Sequence, residues 1–300
     1  MTWLLWLGLV FGLLAVAVAG QRVLAMKPRA EAHGNARAQG SRSPLKFFAL
    51  VLVLSVPLWL IGAATDLQVM PGLPASTLMA FSPMAAALIL VFPQNRVAGV
   101  IALLKRSLDF RRIKAKRWYV PILLLMPGVS VVVYWLMRWM DMPLPVPQIE
   151  LVPALLMFLA FFVGALGEEL GWSGYVLDPL QDRWGALRAG LWLGLVAIIW
   201  HLVPLLLLQR SPAWIAWWCL YALGARILIV WLYNNTGRSV FAVALFHATL
   251  NLSYMLFPVY GSHFDIRLGG LVTAFAAAMV IVLWGPRTLT RDTHAGSGAR

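Results

Sequence analysis

Nine stretches of the chain are nearly free of charge, and each is close to the roughly 20 apolar residues that a membrane-crossing helix needs. They cover residues 3–20, 46–65, 77–94, 118–138, 151–171, 187–208, 213–233, 239–257 and 268–285. Polar or Pro- and Gly-containing segments separate them. The pattern predicts an all-α fold, a polytopic transmembrane helix bundle of eight or nine membrane helices. The first stretch ends in "AVAG", as a secretory leader would, but no basic segment precedes it and the charges follow it instead. It reads as a retained helix.

Between the apolar stretches, residues 27–45, "KPRAEAHGNARAQGSRSPL", read as a flexible linker. Residues 103–117, "LLKRSLDFRRIKAKR", interleave Leu103, Leu104, Leu108, Phe110 and Ile113 with cations. That mixture predicts an amphipathic helix lying on the inner interface. The last residues, "RDTHAGSGAR", read as a disordered tail. The organisation is therefore 1–45, a membrane helix plus linker; 46–117, further membrane helices and the basic segment; 118–285, the helical core; and 286–300, a disordered cytoplasmic tail.

Composition agrees with the pattern. The 300 residues are 61% hydrophobic and 12% charged, with a mean hydropathy of +0.81, whereas soluble domains are about 45–50% apolar and about 25% charged. The net charge of +13 would fit nucleic acid, but its distribution argues for topology. More than half of the 24 cations fall in the segments after the first and third stretches. Only Arg138, Arg210 and Arg267 fall on the opposite side. By the positive-inside rule the N-terminus is outside and the C-terminus inside, in a cytoplasmic membrane. The positive charge then implies contact with anionic lipid headgroups at the inner face and no nucleic-acid partner. The single cysteine, Cys219, excludes a disulfide framework and a multi-cysteine metal site.

Ionisable groups within hydrocarbon cost roughly 2.5–3.5 kcal/mol on insertion scales and mark function by default. Those within the apolar stretches, apart from Lys46, Arg138 and Arg188 at their very ends, are Glu168, Glu169, His201, Arg226 and His247, joined by the polar Asn251. All lie in the fifth to eighth stretches, which points to one shared site. His247 and Asn251, at i and i+4, share a helix face. Glu168 and Glu169 lie about 100° apart on a helix and so have different tasks. Two carboxylates, two imidazoles and an amide suit hydrolysis, with activated water and a stabilised oxyanion, alone or through a divalent metal.

The segments "EELGW" at 168–172, "WHLVP" at 200–204 and "FHATLN" at 246–251 resemble the motifs of the CPBP family of intramembrane proteases, which includes CaaX prenyl endopeptidases and bacteriocin-processing or immunity relatives. The resemblance covers about residues 118–257, which makes 118–285 a CPBP-like protease core. It implies an intramembrane endopeptidase acting on a membrane-associated or lipidated protein or peptide. Glu168 would activate water with His201, and Glu169 would support the site. His247 and Asn251 would hold the oxyanion. In the metal reading, His201, His247 and Glu168 would be ligands to a divalent ion, zinc above others. The chain departs from the family pattern at Ser173, where the first motif has Arg, and at Ala197, where the second has Phe. Arg226, the basic residue well inside a stretch, is the candidate to supply the missing cation. Two other classes remain compatible. One is a catalytically impaired relative that binds peptides or confers bacteriocin self-immunity. The other is a proton-coupled transporter, although no inverted repeat is evident.

Overall fold

Ser43 opens the first described helix. Its hydroxyl accepts the Lys46 backbone N–H at 3.4 Å, and Pro44 fills the first turn, where its missing N–H is not needed. The computed structural model describes residues 42–70 and 73–291. The apolar stretch 3–20, most of the linker with His33, and residues 292–300 with His294 lie outside the described residues. Helix α1 spans Pro44–Ala64, so the end of the segment read as linker is helical. A short antiparallel hairpin follows, β1 (Gln68–Met70) and β2 (Leu73–Pro74), with Gln68 opposite Pro74.

A 3-10 segment, Ala75–Phe81, leads into α2 (Ser82–Leu104). Helix α2 breaks at Arg96, whose φ of 52° lies in the left-handed region, close to the end of the predicted stretch 77–94. The remaining helices are α3 (Tyr119–Trp139), α4 (Leu151–Gly171), α5 (Leu177–Trp184), α6 (Ala186–Leu207), α7 (Pro212–Asn235), α8 (Val240–Met255) and α9 (Ile266–Trp284). Among the described residues, seven helical spans are long and apolar enough to cross a membrane, and α8 is a shorter apolar helix. The protein is an integral membrane helical bundle.

Two expectations need correction. Residues 103–117 do not form one amphipathic helix. After α2 they fold into 3-10 turns at Lys105–Leu108, Phe110–Arg112 and Lys116–Trp118. The body of the protein claims several residues of this segment, Ile113 and Asp109 among them. Ile113 is buried, and the Asp109 carboxylate accepts the Val240 and Phe241 N–H groups at 3.3 and 3.0 Å. Asp109 thereby caps α8 from another part of the chain, helped by Ser239. The tail 286–300 is not disordered over its first residues. The Arg287 and Pro286 carbonyls accept the Ala186 and Leu187 N–H groups at the start of α6. Asn234 and Asn235 donate to the Thr288 and Leu289 carbonyls, and Leu289 is buried.

Helix α8 lies at the centre, packed against α3, α4 and α7; α2 covers α4, and α6 and α9 cover α7. Its 16 residues span only about 24 Å, less than the roughly 30 Å hydrocarbon core. An enclosed helix needs no full lipid-facing length. The apolar residues exposed on α1, α3, α4 and α9, such as Leu60, Leu124, Leu151 and Phe275, form the lipid-facing surface.

Close packing sets α4 against the start of α2. A Cβ at Gly167 would lie 2.8 Å from the Ala80 carbonyl oxygen, and one at Gly171 would overlap the Pro83 carbonyl. This pair of small residues, four apart, lets two backbones meet, as small-residue motifs do in membranes. Gly171→Ala should therefore destabilise the protein by about 1–3 kcal/mol, whereas Gly164→Ala, which meets nothing within 4 Å, should not. Thermal unfolding of both variants in detergent checks this; equal melting temperatures would refute the packing account.

Candidate active site

Helix α4 carries Glu168 and Glu169 into the bundle, and their fates differ. Glu169 is 0% exposed and has a full set of donors. Arg226 Nη1, from α7, lies 3.1 Å from its Oε1 and 3.2 Å from its Oε2. His247 Nδ1, from α8, lies 3.1 Å from Oε1. The Ser173 hydroxyl donates to Oε2 in a short hydrogen bond. Glu168 is also buried, at 7% exposure, but its Oε2 has no hydrogen-bond partner. Its charge nevertheless acts on both the His201 and the His247 imidazoles.

Local sequence explains how these groups meet. A π turn, Trp172–Val176, joins α4 to α5. Such a turn inserts a residue into the helical register and often accompanies functional sites. It carries Ser173. Helix α6 meets α7 closely at Gly194, where a Cβ would lie 2.8 Å from Leu223 Cδ1 and in ordinary contact with Arg226. His201 lies on the same helix. Its Nδ1 is 2.8 Å from the Ala197 carbonyl. A carbonyl only accepts, so Nδ1 carries the proton and Nε2 keeps its lone pair. The Trp200 and Trp218 rings flank the imidazole at 4.6 and 5.3 Å. Trp200 is fixed in turn by donating to Ser55 Oγ of α1 at 2.7 Å.

Direct bonds thus join Glu169, Ser173, Arg226 and His247. Glu168 and His201 join them electrostatically. Asn251 is half-buried one turn beyond His247 on α8 and is hydrogen-bonded to none of the others. Among the described residues, no three His, Cys, Asp or Glu side chains converge to hold a metal ion. His247 Nδ1 is already committed to Glu169. In the described side-chain arrangement His201, His247 and Glu168 therefore do not form a preassembled three-ligand set.

A second polar cluster, not anticipated from the sequence, lies beside the π turn. Arg106 donates to the Gly174 carbonyl at 2.7 Å, to Tyr233 Oη at 2.9 Å and to the Arg238 carbonyl at 2.7 Å. Arg42 reaches the Tyr175 carbonyl at 3.2 Å. Tyr233 donates to Asp178 Oδ2 at 3.2 Å, and Arg238 pairs with Asp178. Spacing alone could not reveal Arg42 or Arg106 among so many surface cations. Asp109 did leave a signal, as the lone acid in a basic run.

The Arg226–Glu169 pair is buried on both sides, at 6% and 0% side-chain exposure. Removing one partner strands the other charge and should cost about 3–5 kcal/mol. Arg226→Met should therefore unfold at markedly lower denaturant, and Arg226→Met combined with Glu169→Gln should recover most of the loss. Denaturant titrations of the two variants decide this; a single variant as stable as the parent would contradict it.

Residues 150–253 match the family model described as type II CAAX prenyl endopeptidase Rce1-like. The chain is 29% identical over 144 residues to CAAX prenyl protease 2 of Methanococcus maripaludis, a match covering 45% of this chain and 51% of that protein. The chain thus spans about half the length of the curated relative it matches. The matched segment holds Glu168, Glu169, His201, Arg226, His247 and Asn251, and over it the chain is similar to the type II CAAX prenyl endopeptidases.

Proposed function

We propose that the protein is an intramembrane endopeptidase that cleaves a membrane-associated protein or peptide. The names of its relatives point to a prenylated substrate of the CAAX type. The observation that carries the reading is Glu168: a buried carboxylate with an unpartnered oxygen, acting on two imidazoles, beside a second carboxylate that is saturated. A saturated carboxylate supports; an unpartnered one is free to take a proton.

The steps follow from the donors. Glu168 removes a proton from a bound water as its oxygen attacks the scissile carbonyl carbon. His201 Nε2, with Nδ1–H tied to Ala197, accepts the water's other hydrogen and orients it. The negative charge then moves to the former carbonyl oxygen. His247 in its doubly protonated form, steadied through Nδ1 by Glu169, presents Nε2–H to that oxygen, and the Asn251 amide supplies a second donor. On collapse, the carboxylic acid of Glu168 returns its proton to the departing amine. Glu169, Arg226 and Ser173 hold the imidazole and do not react. Arg226 and Ser173 together do what the motif Arg does elsewhere in the family.

Access is from the inner leaflet. The π turn after Glu169 is bonded to Arg42 and Arg106, so the site lies near the cation-rich end, which the positive-inside rule makes cytoplasmic. At that end Leu108 and Phe110 are exposed beside Lys105 and Arg111, a surface suited to anionic headgroups. The C-terminus is then inside.

Glu168→Ala should lower cleavage of a prenylated C-terminal peptide in proteoliposomes by about 10²- to 10⁴-fold, the usual worth of a general base. Peptide termini in membranes carrying either form at matched levels give the same test without assuming a substrate. Termini shared equally by both forms would end the protease reading. They would favour a peptide-binding protein, whose partner capture survives the substitution.

A further inference from the structure

The Gly174 carbonyl is an unusual place for a guanidinium to end. Arg106 lies just past α2, in the 3-10 turn Lys105–Leu108, and is 68 residues away from Gly174 along the chain. It bridges three separate pieces of backbone and side chain: Gly174 in the π turn, Tyr233 near the end of α7, and Arg238 just before α8. These are the elements that deliver Ser173, Arg226 and His247 to Glu169. The π turn itself is tightly enclosed, since a Cβ at Gly174 would meet Leu103 at 3.3 Å and Val240 at 3.4 Å. The turn is thus packed on two sides, and its Gly174 carbonyl is held by Arg106 at 2.7 Å and by Arg42 at the longer 3.5 Å. Asp109, whose Oδ2 lies 3.8 Å from Arg106 Nε, caps α8 at the same time.

We infer that Arg106 is a positioning residue, which clamps the π turn and the ends of α7 and α8 so that Ser173 and His247 meet Glu169 in a single geometry. The path runs through one residue: Ser173 precedes Gly174, and its hydroxyl bonds the Glu169 oxygen opposite the one that holds His247. The partners of Arg106 are Gly174, Tyr233, Arg238 and Asp109, with no bond to Glu168. Loss of the clamp lets the turn relax. Ser173 then leaves Glu169, and the His247 ring loses its fixed direction toward the oxyanion. Misplacement of a catalytic group by about 1 Å costs on the order of 10²-fold in rate. Binding of substrate is made elsewhere and stays. This inference rests on the reading of Glu169 and His247 as members of the active site.

The test uses the full chain in proteoliposomes, with Arg106→Ala, Arg106→Lys and, as a control for surface charge, the exposed Lys114→Ala. For Arg106→Ala, kcat should fall by about 10- to 100-fold with KM within about twofold of the parent. Lys114→Ala should match the parent. In protein with ¹⁵N-labelled histidine, the His247 Nδ1 resonance, assigned by its loss in His247→Gln, should shift in Arg106→Ala and not in Lys114→Ala. A parent-like His247 resonance in Arg106→Ala overturns the inference whatever the rate does. So does a parent-like kcat in an active protein. Should Arg106→Ala fail to fold, Arg106→Lys keeps the charge but cannot reach all three acceptors, and carries the same two readouts. If the parent cleaves nothing, the proteolytic reading fails, and the resonance alone still decides whether Arg106 sets the geometry at Glu169.

Discussion

A carboxylate with no exposed surface inside an apolar bundle must be surrounded by donors, and Glu169 organises the protein through that requirement. Burying one ion costs several kcal/mol, which only close partners repay. Its partners come from three directions. Arg226 ties α7 to α4, His247 ties α8 to α4, and Ser173 requires the chain to turn just after α4. Apolar packing between membrane helices is tolerant of sliding, because lipid tails are as apolar as the side chains they replace. A buried charge is not tolerant. The gain from Glu169 is therefore a defined register among three helices more than net stability.

Glu168 has the same chemistry and a different fate. About 100° around the helix from Glu169, it meets no donor for Oε2. Full satisfaction would remove it from chemistry, since a carboxylate engaged by a guanidinium, an imidazole and a hydroxyl has no lone pair left for water. The division between a saturated carboxylate and one with an unpartnered oxygen is imposed by helical geometry on two adjacent identical residues. His201 shows the same logic in one ring. Its Nδ1–H is spent on a backbone carbonyl, which fixes the tautomer and leaves Nε2 as the acceptor.

The membrane spans and the grouping of polar residues were legible in the sequence, because both depend on local composition. The stretch 151–171 coincides with α4, and Arg226 stood out as the cation deep in an apolar run. Ser173 was visible as a departure from a family motif. That it bonds the same carboxylate as Arg226 required the π turn, which no periodicity announces. The basic segment 103–117 was misread for a related reason. Its pattern suits an interfacial helix, but Asp109 bonds Phe241, 132 residues away, and Ile113 is buried, and tertiary packing overrides local preference. Pro286 to Leu289 was read as tail because it is polar. Its carbonyls are held by the first N–H groups of α6, which need acceptors wherever the chain can provide them.

The π turn joins these observations physically. One extra residue in a turn rotates everything after it by about 100° relative to an uninterrupted α-helix. Without that rotation, a single long helix could not direct Glu169 into the bundle and also bring Asp178 to Tyr233 and Arg238. The rotation has a cost, because π hydrogen bonding is rare and seldom stable alone. Tight walls at Gly171 and Gly174 and two guanidiniums on the Gly174 and Tyr175 carbonyls hold the turn in place. A site built next to such a turn inherits its restraints. The two guanidiniums come from the two cation-rich segments of the chain, Arg42 from one and Arg106 from the other, so the same segments that carry the positive charge also fix the backbone beneath the carboxylates.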